Sequence, residues 1–169
     1  MREEDLTAIA SILESSKLKV NSVLIVGNDK PELQASIVSQ KFEDVICGFS
    51  NWNFEHVPWT GKKYDLLIAC NVLIGIRKID QWFKNVKPAA DLLVVQGLIS
   101  GKRGRETETD PENGDHTRFS FKDVPTAGYS LESNYNIIVS NTQFYDGPNC
   151  KKFVSIVSYP QKVTTKKVK

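Results

Sequence analysis

Gly27, Asp29, Glu32 and the pair Trp52 and Trp59 are the residues whose type and position first suggest chemistry, and that chemistry is binding. Gly27 closes the apolar run Val23-Leu24-Ile25-Val26. A glycine there either lets the backbone approach a ligand or simply makes a turn. Asp29 and Glu32 flank Pro31 at the start of a helical pattern. Carboxylates at a helix start repel phosphate, so a cofactor gripped by its phosphates is disfavoured. Trp52 and Trp59 offer flat rings, either for stacking on a ligand or for packing at the rim of the core. His56 and His116 are the two histidines, and neither has a partner at metal-ligand spacing, so no metal site is expected. Cys47, Cys70 and Cys150 are odd in number and read as small buried thiols rather than nucleophiles. A Ser-His-Asp order, a carboxylate pair and a phosphate-cradling glycine loop are all missing, and no catalytic residue is assigned.

Those residues need elements to position them. At 169 residues, 25% charged and 40% hydrophobic, the chain reads as one ordinary globular domain. Its apolar runs fall well short of the ~20 residues of a membrane span. The start, MREEDLTAIASIL, is acidic and lacks a secretory pattern, so a cytoplasmic protein is expected. Net charge is +2, but Lys162, Lys166, Lys167 and Lys169 lie in an acid-free tail. Without these four, the 22 Lys and Arg no longer outnumber the 20 Asp and Glu, which argues against a broad nucleic-acid footprint. Residues 161–169 are expected to be a flexible basic tail, capable at most of a weak contact with nucleic acid or an acidic partner.

Leu6, Ile9, Ala10 and Leu13 recur at helical spacing and predict a first amphipathic helix. Residues 23–26 predict a buried parallel strand. Pro31 suits the first turn of a second helix, with Leu33, Ile37 and Val38 on its apolar side. Residues 45–47 predict a second strand, and Phe49, Trp52, Phe54 and Trp59 an aromatic loop. Residues 64–70 predict a third strand. Ile76, Ile79, Phe83 and Val86 predict a helix that Lys87-Pro88 ends, and residues 92–95 a further strand. Residues 100–118 carry four basic and five acidic side chains and read as a long loop. Residues 135–144 and 153–159, around Asp146-Gly147-Pro148-Asn149, predict an antiparallel hairpin. The fold class expected is α/β: a three-layer Rossmann-like sandwich with a mostly parallel central sheet and a C-terminal antiparallel hairpin.

Tyr64-Asp65-Leu66-Leu67-Ile68-Ala69-Cys70-Asn71-Val72-Leu73 and Lys87-Pro88-Ala89-Ala90-Asp91-Leu92-Leu93-Val94-Val95 resemble the fourth and fifth strands of class I S-adenosylmethionine-dependent methyltransferases. Asn53-Phe54-Glu55-His56-Val57-Pro58-Trp59 resembles that family's adenine-contacting segment, with Asn53 in place of the usual aspartate. An amide carbonyl still accepts a hydrogen bond from an amino group. Val23-Leu24-Ile25-Val26-Gly27 matches the family's first strand and first loop glycine, but Asn28, Asp29, Lys30 and Pro31 stand where later glycines belong. Gly48-Phe49-Ser50 lacks the acid that holds the ribose, and the short span from Gly27 to Asn53 implies that one strand–helix unit is abbreviated or lost. The resemblance covers about residues 20–159. It implies a single methyltransferase-like domain over residues 1–160 and S-adenosylmethionine as cofactor, whose sulfonium cation tolerates nearby acids. It also implies a pocket formed by Gly27, Asn28, Asp29, Phe49, Asn53, Phe54 and Asn71, with an unknown methyl acceptor beneath the 100–118 loop. Asn71 stands where the family places substrate-facing groups, although a helix cap explains it equally well. The alternative is a catalytically inactive scaffold or interaction protein that keeps the fold.

Overall fold

The computed structural model describes residues 3–27, 29–70, 72, 76, 78–99, 106–110, 114–119, 136–144 and 151–158. Helix α1 (Glu3–Ser16) leads into strand β1 (Ser22–Val26), helix α2 (Pro31–Lys41) and strand β2 (Ile46–Ser50). Strand β3 (Tyr64–Ala69) and helix α3 (Ile79–Val86) follow, then a 3-10 turn at Lys87–Ala89 and strand β4 (Ala90–Ile99). The last strands are β5 (Glu106–Asp110), β6 (Gly114–Phe119), β7 (Asn136–Phe144) and β8 (Lys151–Ser158).

β1, β3 and β4 pair in parallel, and β2 joins the outer edge of β1 in parallel. β8 runs antiparallel along β4, and β7 antiparallel along β8. The expected mixed sheet with a terminal antiparallel pair is therefore present. One helix and one strand, α2 and β2, separate Gly27 from Asn53, as the shortened span implied.

Alternation of side chains divides the core in two. Leu24, Val26, Leu67, Ala69, Leu93 and Val95 face α3 and pack on Trp82, Phe83 and Val86. Val23, Ile25, Leu66, Ile68 and Val94 face the other way, against Ala8, Ile9, Ile12 and Leu13 of α1 and Val38 of α2. Helices on both faces of the sheet make the three layers. Each fully buried aliphatic side chain contributes about 1.5–3 kcal/mol.

Three expectations need correction. On α1 the buried stripe runs through Asp5, Ala8, Ile9, Ile12 and Leu13, and Ala10 is exposed. Asp5 goes inside because the buried Gln96 amide donates to its Oδ1 at 2.6 Å. On α2 the buried positions are Gln34 and Val38, and Leu33 is exposed. Residues 100–118 are not one loop, since β5 and β6 form an antiparallel ribbon with Glu106 opposite Arg118 and Glu108 opposite His116. A strand that is polar throughout gives no apolar alternation to read. Smaller adjustments concern Phe49, which lies in β2 rather than in the loop after it, and α3, which starts at Ile79. The turn 146–149 and the tail 161–169 lie outside the described residues.

Registers fix where the ribbon sits. Leu98 and Ile99 pair with Lys152 and Lys151 of β8 on one edge, and with Arg118 and Phe119 of β6 on the other. β3 occupies that second edge only as far as Ala69 opposite Val95. The ribbon therefore takes up the place beyond the carboxyl end of β3.

Candidate functional site

Ligands of open α/β sheets lie outside the carboxyl ends of the parallel strands. At that end β1 runs into Gly27, whose φ of +106° belongs to the region glycine tolerates. Its N–H donates to the Ser50 carbonyl at 3.0 Å, so the ends of β1 and β2 are tied together. A Cβ on Gly27 would stand 3.2 Å from Cγ2 of Val72, the residue after Asn71. The backbone at Gly27 is thus closely covered from the β3 side.

Asp29 follows on the turn into α2. Lys30 takes the N-cap position in the left-handed conformation (φ 50°, ψ 55°), and no side chain caps the helix. Pro31 at the first helical position has no N–H to satisfy. Glu32 lies in the first turn, so the acids read from the sequence do stand at this helix start. Gln34, buried beneath the turn, donates from Nε2 to the Asp29 carbonyl at 2.7 Å.

β2 supplies Phe49, which is 55% exposed, as expected on an edge strand. After Ser50 the chain turns into the aromatic loop. Ser50 Oγ accepts the Trp52 N–H at 3.1 Å. Asn53 is exposed, and its carbonyl accepts the N–H groups of His56 (3.2 Å) and Val57 (3.0 Å). Phe54 points the other way: it is 1% exposed and belongs to the α3-side core, with its N–H on the Trp52 carbonyl at 3.2 Å. Trp52 and Trp59 meet edge to face at 5.1 Å, and Phe54 lies 5.8 Å from Trp59 and 5.9 Å from Trp82. Both partly buried tryptophans pack on the core rim, the second of the two roles open to them from sequence. Their indole N–H groups donate to the Val57 and Lys62 carbonyls at 2.9 and 2.8 Å.

Asn85 on α3 holds this loop. Its Nδ2 donates to the Phe54 carbonyl at 2.7 Å in the interior, its Oδ1 accepts from Gln81, and its carbonyl accepts the Trp59 N–H at 3.0 Å. Glu55 accepts the Lys78 N–H through Oε1, a second tie between loop and helix. Sequence reading passed over Asn85 and Gln34. Each is a polar residue inside an apolar stripe, beside Phe83 and Val86 in one case and one turn before Val38 in the other, and that interruption was the available signal.

Gly27, Asp29, Phe49 and Asn53 are thus gathered around the carboxyl ends of β1 and β2, while the Phe54 side chain enters the core. Asn28 and Asn71 lie outside the described residues. His116 stands opposite Glu108 in the ribbon. β2 ends in Ser50 and Asn51 follows it, so a carboxylate is missing where the ribose of the resembled family is held. Cys70 is buried at the end of β3, and burial pushes the Cys47 thiol above its ordinary range, making it a poorer nucleophile. Among the described residues no helix is long and apolar enough to cross a membrane.

Neither a protein-family model nor a curated protein matches the sequence. Solved structures do match the fold. A methyltransferase from Methanosarcina mazei, described as S-adenosylmethionine-dependent, superposes with a TM-score of 0.56 at 11% identity, covering 88% of this chain and 96% of that one. The N-terminal domain of EvdMO1, solved with S-adenosylhomocysteine bound, gives 0.61 at 10% identity, covering 95% and 83%. The N-methyltransferase NodS from Bradyrhizobium japonicum, in complex with S-adenosylhomocysteine, gives 0.57 at 12% identity, covering 94% and 87%. The fold is that of class I S-adenosylmethionine-dependent methyltransferases. Within this methyltransferase fold, the Gly27 turn and the 52–59 loop stand on either side of the end of β2.

Proposed function

We propose that the chain binds S-adenosylmethionine at the carboxyl end of its parallel strands and transfers a methyl group to an acceptor. The observation that carries this reading is the turn at Gly27. Its backbone has the positive-φ geometry that glycine adopts freely, in a fold shared with S-adenosylmethionine-dependent enzymes.

The residues present fit such a cofactor. Asp29 and Glu32 oppose a phosphate but suit a cation. Asn53 is exposed, with an amide able to accept from an adenine amino group. Phe49 exposes an apolar ring beside the same strand ends. Gly27, Asn28 and Asp29 would hold the amino-acid end, and Phe49 and Asn53 the adenosine end, whereas the Phe54 backbone is already bonded to Trp52 and Asn85. Asn71 would face the acceptor. When bound, S-adenosylmethionine supplies an activated methyl group on a sulfonium. The protein's task is then to align the acceptor and exclude water, so rate comes from positioning more than from an acid–base residue. The β5–β6 ribbon, whose β6 pairs with the end of β4, would form one wall for the acceptor.

Isothermal titration with S-adenosylhomocysteine tests the binding, and methyl transfer to candidate acceptors tests the activity. Heat-silent titrations of folded protein at millimolar ligand would reject both. One observation favours the non-catalytic reading: β2 ends in Ser50, with Asn51 after it, instead of an acid. Binding without turnover on any acceptor class would support it.

A further inference from the structure

We propose that Gln34 is the positioning residue of the cofactor turn, its buried amide standing in for the missing loop glycines. The ligand-binding part of this inference rests on the reading given under Proposed function. Among the described residues of the turn from Gly27 to α2, two are left-handed, Gly27 and Lys30, and only the first is a glycine. A lysine in that conformation is disfavoured by its Cβ, so the surroundings must hold it there. The helix start adds no side-chain cap.

Gln34 reaches the turn twice. Its N–H bonds the Lys30 carbonyl at 3.3 Å, and its side-chain Nε2 reaches back five residues to the Asp29 carbonyl at 2.7 Å. The side chain is 1% exposed, and its Oε1 is buried without a hydrogen-bond partner among the described residues. A buried, unpaired amide oxygen destabilises a fold, and an apolar side chain of the same length would remove that cost. Packing alone does not account for a glutamine here. Its donor does, because the amide fixes the carbonyl of Asp29 and with it the Asp29–Lys30 peptide that leads into the left-handed Lys30. That is a stability loss held at a binding turn, the pattern expected where geometry matters more than stability.

Gln34→Met separates the two roles. The urea midpoint should stay level or rise, since the variant removes an unpaired oxygen along with one hydrogen bond. Amide exchange at Gly27 N–H should become about tenfold faster, while Phe42 N–H, bonded to Val38 at the far end of α2, keeps its rate. Affinity for S-adenosylhomocysteine should fall about five- to tenfold, the size of one hydrogen bond. A lower midpoint with faster exchange at both Gly27 and Phe42 would make Gln34 merely structural and overturn the proposal. So would unchanged exchange at Gly27 with unchanged affinity. If wild-type protein binds no S-adenosylhomocysteine, the functional reading falls and the exchange arm alone still judges Gln34. Should Gln34→Met fail to fold, the wild-type protein decides: a scalar coupling from Gln34 Nε2 to the Asp29 carbonyl supports the bond, and freely rotating side-chain protons contradict it.

Discussion

Two loops meet at the carboxyl end of the sheet, and they are built differently. The 52–59 loop is tied down by many partners: two indole N–H bonds, an edge-to-face tryptophan pair, Glu55 on Lys78 and the Asn85 amide from α3. The described residues of the 27–30 turn instead include the left-handed Gly27 and Lys30 at a helix start without a side-chain cap on Lys30, and a buried glutamine holds the turn from below. The better-tied loop is the one whose sequence still resembles the methyltransferase pattern. The sparer turn is the one whose glycines are gone. A turn with a left-handed lysine can thus be held by a neighbouring side chain rather than by its own residue types.

Breaking the well-tied loop should cost most. Asn85→Leu leaves the interior Phe54 carbonyl without its donor, and we expect a loss of about 2–4 kcal/mol in urea-induced unfolding. Trp59→Ala removes rings from contact with Trp52 and Phe54, with an expected loss of about 2–3 kcal/mol, below the range for a fully buried tryptophan. Near-ultraviolet circular dichroism should lose part of its tryptophan signal along with it, the buried Trp82 keeping its share. Gly27→Ala forces a side chain into positive φ and against Val72, at about 1–2 kcal/mol in the same unfolding assay. There the binding readout should move further than stability, with calorimetric affinity for S-adenosylhomocysteine falling at least about tenfold. Gln34→Met closes the series, with stability within about 0.5 kcal/mol of wild type and a clear loss of affinity. A reversed order, with the turn variants unfolding the protein and the Asn85 variant harmless, would undo the comparison.

The sheet was readable because β1, β3 and β4 are continuous apolar runs buried on both faces, a pattern that few other structures produce. Phe83 and Val86, read from helical spacing, likewise lie on the buried face of α3, where Trp82 joins them. The ribbon was not readable: Glu106-Thr107-Glu108-Thr109-Asp110 has the composition of a loop, and only pairing with 114–119 makes it a strand. On α2 the apolar stripe misled, because Leu33 faces out while Gln34 faces in. Of the candidate site, the gathering of Gly27, Asp29, Phe49 and Asn53 follows from strand ends that sequence located well. Asn85 and Gln34 did not, because their value lies in partners 31 and 5 residues away that periodicity cannot name.

An open groove at the opposite, amino end of the sheet, lined by Lys19, Asn21, Lys63 and Asp65, offers the natural rival location for a ligand. Titrating isotope-labelled protein with S-adenosylhomocysteine while following backbone amide shifts discriminates between the two ends. The account predicts saturable shifts at Gly27, Asp29, Lys30, Phe49 and Asn53, with Asn21, Lys63 and Asp65 unmoved. Shifts centred on the amino-end groove, or none at millimolar ligand, would contradict it.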